Sequence, residues 1–217
     1  MPIVAIGGGV DDALLHEVLR TAGSGDVLYV PTAVMEDPAT TVAWYARLRR
    51  LGATMSHVHF SPWPPADLRE RTLASSVVLV SGGNTANMLA VWRVHGFDAI
   101  LREAWETGVT LAGWSAGAIC WFEHGVTDSY GPQLEGMACL GFLPGSACPH
   151  YDGEERRRPR YAELVAGGFA PGIAIDDDVF VRFDGNELSE VVTSRRGARA
   201  YRVSQSGEEP LDARLVG

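Results

Sequence analysis

The segment Gly113-Trp114-Ser115-Ala116-Gly117 sets a serine between two glycines, directly after the apolar run VTLA and before the stretch AGAICWF. Glycines two before and two after the serine permit a tight, strained strand-to-helix turn that lifts the hydroxyl clear of a sheet. The backbone N–H groups that follow open a helix, where developing negative charge is favoured. Ser115 is therefore placed to attack a carbonyl carbon. The strand–turn–helix setting carries this expectation, because the five-residue pattern alone arises by chance in a chain with 25 glycines.

A hydroxyl nucleophile needs a base. All 18 basic residues are arginine, which excludes a Ser–Lys dyad, a Schiff base and a Walker-type phosphate loop. Six histidines remain. His16, His95 and His124 fall in or beside helical patterns, and His57 and His59 alternate along a strand-like run, settings that suit packed or surface histidines. His150 differs. It ends the turn-rich GSACPH after the apolar LGFL, where a strand would deliver it to the carboxyl edge of a sheet, the edge at which α/β folds gather function. An acid to orient its ring is available in Asp176-Asp177-Asp178, three consecutive carboxylates beside a buried strand whose desolvation calls for a partner. Asp128 in GVTDSYG competes, its plainer reading being a turn-forming residue. A further backbone donor for a developing oxyanion is offered by Ser81-Gly82-Gly83-Asn84-Thr85, where glycine lets amides approach an oxygen closely. That turn also suits a small anion.

These residues need elements to hold them. Short β-branched runs (IVAIGG at 3–8, VLYVP at 27–31, SSVVLVSGG at 75–83, VTLAGWS at 109–115) alternate with helical periodicity at Asp11 to Ala22, Pro38 to Leu51 and Thr85 to Glu106. Such alternation implies crossover units on a mostly parallel central sheet flanked by helices, an α/β fold. Toward the carboxyl end GIAI, VFVRF, LSEVVTS and ARAYRVS are separated by turn residues, which predicts antiparallel strands there. SPWPP at 61–65 reads as a turn between a strand and the next helix. Without repeats, low-complexity tracts or a linker, residues 1–217 read as a single domain.

Taken together, SGGNT at 81–85, GWSAGA at 113–118 and PHYD at 149–152 resemble, in order and spacing, the peptidase E family of aspartyl dipeptidases, which is grouped with the cyanophycinases. The resemblance runs from VAIGGG to IDDDVF. It implies a serine peptidase on a class I glutamine-amidotransferase-like fold, with Ser115 as nucleophile and His150 as base. It also implies oxyanion donors at the amides of Gly83 and Ala116, with Asn84 beside them. The family's third triad member is a glutamate, and its position falls on Asp177, one methylene shorter. Asp176 and Asp128 are the alternatives, and an aspartate corresponding to Asp128 has been regarded as catalytic in the family. An arginine beyond the histidine is implied to hold the substrate's amino-terminal aspartate; Arg156 or Arg157 matches it. Such an arginine forks onto a carboxylate with two parallel hydrogen bonds. The mechanism implied, acyl transfer to Ser115 and hydrolysis, requires no metal or organic cofactor, and a homodimer is in keeping with the family.

Composition narrows the partners. A net charge of −9 opposes binding to a phosphate backbone, so nucleic acid is not expected. No apolar run reaches the length of a bilayer span, and residues 1–9 read as a first core strand and not a secretory leader, which makes a cytoplasmic location the expectation. Cys120, Cys139 and Cys148 form no metal-spaced pair and are expected as reduced thiols. The rival readings are a cyanophycinase-like or broader-specificity peptidase, and a non-catalytic protein that keeps the fold and holds a small ligand. Dinucleotide binding by GGGVDD is disfavoured, since the third spaced glycine is missing.

Overall fold

The computed structural model describes residues 1–217. Five adjacent parallel strands, β1 (Pro2–Ile6), β2 (Asp26–Val30), β3 (Thr54–His57), β4 (Val77–Val80) and β5 (Thr110–Trp114), make up the larger part of an eight-stranded sheet, with β3 at one edge. Antiparallel β10 (Val179–Asp184) and β11 (Glu187–Thr193) extend it beyond β1, with the short β14 (Arg214–Leu215) at the margin. The order is β14-β11-β10-β1-β5-β4-β2-β3. The α/β architecture expected from the alternating pattern is thus present.

Both faces of the central strands are apolar, as a covered parallel sheet requires. Ile3, Ala5, Leu28, Val30, Val78 and Val80 face α4 (Thr85–His95) and α5 (Phe97–Glu106) within one core. Their alternate neighbours Val4, Ile6, Val27, Tyr29, Val77 and Leu79 face α1 (Asp12–Ala22) and α2 (Pro38–Arg50) in a second. Leu14, Leu15 and Val18 of α1 are buried there, each contributing roughly 1.5–3 kcal/mol by leaving water. Helix starts follow their caps: Asp11 accepts from Leu14 N–H at 2.9 Å and Asp37 from Thr40 N–H at 2.7 Å. The periodic stretch Thr85 to Glu106 is two helices, because Gly96 takes φ 67 and closes α4 with a left-handed residue. A short helix, α3 (Leu68–Ala74), follows the proline-rich turn.

The carboxyl-terminal strands divide between two sheets. A second, six-stranded sheet has the order β13-β12-β9-β8-β6-β7. Its members are β6 (Phe122–Thr127), β7 (Glu135–Ala138), β8 (Leu143–Cys148), β9 (Gly172–Ile175), β12 (Ala200–Ser204) and β13 (Gly207–Leu211). GIAI and ARAYRVS belong here, whereas VFVRF and LSEVVTS belong to the first sheet. The second sheet also shortens the helix after Ser115. AGAICWF is helical only over α6 (Ala116–Ile119), because the carbonyls of Cys120, Trp121 and Phe122 accept from the amides of residues 140–143 and draw the chain into β6. Helix α7 (Arg157–Ala166) covers the second sheet with Tyr161 and Val165.

Candidate active site

Ser115 follows β5 at the carboxyl edge of the parallel strands, and its N–H donates to the Ile6 carbonyl at 3.0 Å. Its backbone takes φ 53, ψ −111, a sparsely populated conformation for a residue with a side chain. Both flanking glycines are steric requirements of the turn. A Cβ on Gly113 would lie 2.4 Å from the Gly117 carbonyl oxygen, and one on Gly117 would lie 2.4 Å from the Val80 oxygen. The Ser115 carbonyl accepts the amides of Ala118 and Ile119, which locks the turn into the start of α6.

His150 lies two residues beyond β8, at φ 52, and its Nδ1 is 2.7 Å from Asp177 Oδ1. That bond is the largest influence on Asp177 and holds its carboxyl below the usual carboxylate range, against burial. An ionised carboxylate only accepts, so the proton in this bond is on Nδ1, and Nε2 is the ring nitrogen on the side away from Asp177. Asp177 sits where the chain crosses from β9 in the second sheet to β10 in the first. Gly8, just past β1, bridges to Asp177, and its carbonyl accepts from Asp178 N–H at 2.7 Å. A Cβ on Gly8 would lie 2.3 Å from both Asp177 Oδ1 and the His150 ring. The two residues Gly7 and Gly8 therefore separate the strand end that carries Ser115 from the His150–Asp177 pair. Ser115 and His150 are not hydrogen-bonded in this geometry; such bonds commonly tighten only around a substrate.

The glycine turn after β4 reaches the nucleophile from the other side. A Cβ on Gly82 would fall 3.3 Å from Ser115 Cβ. Gly83 has φ 130 and packs on the Ala33 carbonyl, where a Cβ would come within 2.2 Å. Its exposed amide makes no backbone hydrogen bond. Asn84 caps α4, accepting from Asn87 N–H at 2.9 Å, and Ala116 is the first residue of α6. On the same edge a cavity of about 430 Å³ is lined by Thr32, Met35, Glu36, Phe60, Asn87 and His95 among others.

The remaining sequence-derived residues fall in different settings. Asp128 is exposed on the loop after β6, and His150 is paired with Asp177 and not with it. Arg156 is exposed just before α7, with one guanidinium nitrogen on the Pro132 carbonyl at 2.9 Å. Arg157 is buried, its guanidinium shared between Glu154 and the Val126 carbonyl. Asp176 is buried as well, with one oxygen on Arg199 N–H at 3.0 Å and the other unpaired.

One residue at the site was not singled out from the sequence. Arg195 bonds Asp178 Oδ2 at 3.0 Å, the Asp177 carbonyl at 2.9 Å and Asp152 Oδ2. Asp152 Oδ1 in turn accepts from Asp177 N–H at 2.9 Å. Both main-chain groups of Asp177 are thus held by one arginine–aspartate clamp. Its signal in the sequence is only an arginine in the turn SRRG. The structure contains no group of three or more His, Cys, Asp and Glu arranged to hold a metal, and no helix long and apolar enough to cross a membrane.

Several known proteins resemble this chain over most of its length. The uncharacterized peptidase YgaJ of Bacillus subtilis is 41% identical over 230 residues, covering 99% of each chain. Peptidase E of Citrobacter koseri is 29% identical over 181 residues, covering 77% of this chain and 75% of that protein. Among solved structures, a peptidase from an acI-B1 Actinobacterium superposes with a TM-score of 0.77 at 18% identity, covering 100% of this chain and 96% of the other. A putative peptidase E protein from Listeria monocytogenes gives 0.62 at 17% identity, with 87% and 96% coverage. These two likenesses show the shared fold. Residues 3–191 match the sequence model of Peptidase family S51, and the chain belongs to that family of peptidases.

Proposed function

We propose that this chain is a serine-type peptidase that cleaves short peptides, with dipeptides bearing an amino-terminal aspartate as the preferred class. The observation that carries the reading is the 2.7 Å bond between His150 Nδ1 and Asp177 on the same sheet edge as a serine held at φ 53. His150 Nε2 takes the Ser115 proton as Oγ attacks the scissile carbonyl. The amides of Gly83 and Ala116 receive the negative charge that develops on the carbonyl oxygen. Collapse of that intermediate transfers the acyl group to Ser115, while His150 protonates the departing amine, and water activated by the same imidazole then releases the acid. Asp177 keeps the ring in the tautomer this needs and stabilises the imidazolium.

Arg156 is the residue assigned to the substrate carboxylate. Arg157 is already engaged by Glu154 and a main-chain carbonyl, whereas Arg156 has a single main-chain contact. A bidentate bond from Arg156 would contribute about 1.5–3 kcal/mol of discrimination. The test is hydrolysis of Asp-X dipeptides, with Asn-X and Leu-X controls, by wild type and Ser115→Ala. Cleavage confined to Asp-X and lost in the variant supports the whole reading. Equal cleavage of Leu-X removes the aspartate preference, and cleavage that survives Ser115→Ala removes the serine mechanism.

A further inference from the structure

The hydroxyl of Ser129 sits on the N-terminus of α4. It accepts from Thr85 N–H at 3.0 Å and from Ala86 N–H at 3.3 Å. With both lone pairs in use, its own proton goes to Thr127 Oγ1, 2.7 Å away. The main chain of Ser129 is pinned too. Its N–H donates to Thr127 Oγ1 at 3.1 Å, and its carbonyl accepts from Asn84 Nδ2 at 3.1 Å. Thr127 is buried at the end of β6, so this cap is anchored in the second sheet while the helix it caps belongs to the first.

Asn84 accounts for the neighbouring amides. Its side chain accepts from Asn87 N–H, and its own N–H donates to the Ala33 carbonyl at 2.9 Å. Every amide from Asn84 to Asn87 is therefore taken within the protein. The donors left open are those of the glycine pair upstream, Gly82 N–H and Gly83 N–H, on the turn that abuts Ser115 Cβ, and of the two residues Gly83 is the exposed one.

We propose that Ser129 is a positioning residue for the oxyanion site: it occupies the first-turn amides of α4 and fixes the 81–85 turn so that Gly83 N–H is held where it meets the developing charge together with Ala116 N–H. The proposal rests on the Ser115 hydrolase reading. Ser129 touches no substrate; it acts through the pitch of the turn. Removing its hydroxyl strands the Thr85 and Ala86 amides, which are then satisfied by water or by rotation of the turn. A donor misplaced by about 1 Å is enough to cost a reaction of this kind about 100-fold.

The test uses the full chain and a fluorophosphonate probe, with the maximal inactivation rate and the half-saturating concentration measured separately. In that reaction Ser115 Oγ bonds to phosphorus, its proton passes to His150, the P–F bond breaks and fluoride leaves; the phosphoryl oxygen takes the oxyanion position. Ser129→Ala is expected to lower the maximal rate about 10- to 100-fold with the half-saturating concentration unchanged. Ser129→Thr, which restores the hydroxyl, is expected within about three-fold of wild type. Rates are taken per folded molecule, by near-ultraviolet circular dichroism. Thr127→Val removes the acceptor for the Ser129 proton while keeping side-chain shape, and gives a smaller loss in the same direction; it carries the test if Ser129→Ala does not fold. A wild-type maximal rate in Ser129→Ala overturns the proposal, as does a loss confined to the half-saturating concentration, or a Ser129→Thr variant no faster than Ser129→Ala. Labelling of Ser115→Ala at the wild-type rate is a separate outcome that removes the underlying hydrolase reading.

Discussion

His150 Nδ1 and Asp177 Oδ1 are 2.7 Å apart, although 27 residues, including α7 and β9, separate them in the chain. Asp128, the other acid considered for this role, is exposed on the loop whose next residue caps α4. Asp177→Asn keeps the shape but favours the wrong tautomer, so kcat should fall by about 10³- to 10⁴-fold. Asp128→Asn should stay within about ten-fold, since it removes no partner of His150. Steady-state kinetics on one susceptible peptide compares the two; a larger loss in Asp128→Asn would exchange their roles.

Gly8 tests the same pair sterically. Its φ is not in the left-handed region, so alanine there is resisted by contact alone, with Asp177 and the His150 ring each 2.3 Å from the new methyl. Gly8→Ala should lower kcat at least about 100-fold, whereas Gly25→Ala, whose new methyl would meet nothing closer than 3.1 Å, serves as the control. Comparable activity in both proteins would show that the strand end yields without disturbing the pair.

Arg195 holds Asp177 by its carbonyl and, through Asp152, by its N–H. Arg195→Ala should lower kcat about 10- to 100-fold, with a smaller change in KM. Arg195→Lys restores charge but not the fork, and should recover only part of the loss. Full activity in the alanine variant would mean that β9 and β10 position Asp177 unaided.

The two arginines before and at the start of α7 should separate cleanly. Arg156→Ala is expected to lower kcat/KM for an Asp-X dipeptide by about 10- to 150-fold with little change in thermal midpoint. Arg157→Ala leaves Glu154 and the Val126 carbonyl without their buried partner, and should cost about 2–4 kcal/mol of stability. Thermal melts and kinetics on both variants check the division; the reverse pattern would exchange the assignments.

Asp176 gives a pH prediction. Burial pushes its carboxyl up to about 6, above the unfolded value of roughly 3.9. The folded chain holds the extra proton between these values. Stability from the neutral form is therefore complete below about pH 4 and is lost as pH rises through about 6. Asp176→Asn should raise the thermal midpoint at pH 8 by several degrees, equivalent to about 1–3 kcal/mol, and leave it nearly unchanged at about pH 3. An asparagine variant that melts lower at pH 8 would mean that the buried charge is compensated by its surroundings.

What could be read from the sequence follows from where each interaction is written. Local signals were legible: Asp11 at the head of a periodic stretch, the buried runs of β1, β2, β4 and β5, and the two glycines around Ser115. The split of Thr85 to Glu106 was less so, because Gly96 inside a periodic stretch is compatible with either a tolerated glycine or a helix end. AGAICWF has helical composition, yet Cys120 to Phe122 are claimed by residues 140–143, a competition no local window contains. The second sheet was hidden for the same reason, since β6 pairs in parallel with β8 and β8 with β9 across long connections. Arg195 and Ser129 were missed because the groups they hold in place, the aspartates around Asp177 and the start of α4, lie 17 to 45 residues away. Nothing beside them in the sequence marks either one.

The division into two sheets has a consequence for how such an enzyme would fail. Ser115 is carried by the first sheet, while His150 hangs from the end of β8 in the second, and Asp177 lies on the chain that passes between them. Heat or a cavity at the seam near Ile119, Phe122 and Phe142 would let the sheets slip like the halves of a worn hinge. His150 and Asp177 would travel together, and the gap to Ser115 would open first. Activity is then the most sensitive gauge of how the sheets seat on each other, fading before either has begun to unravel.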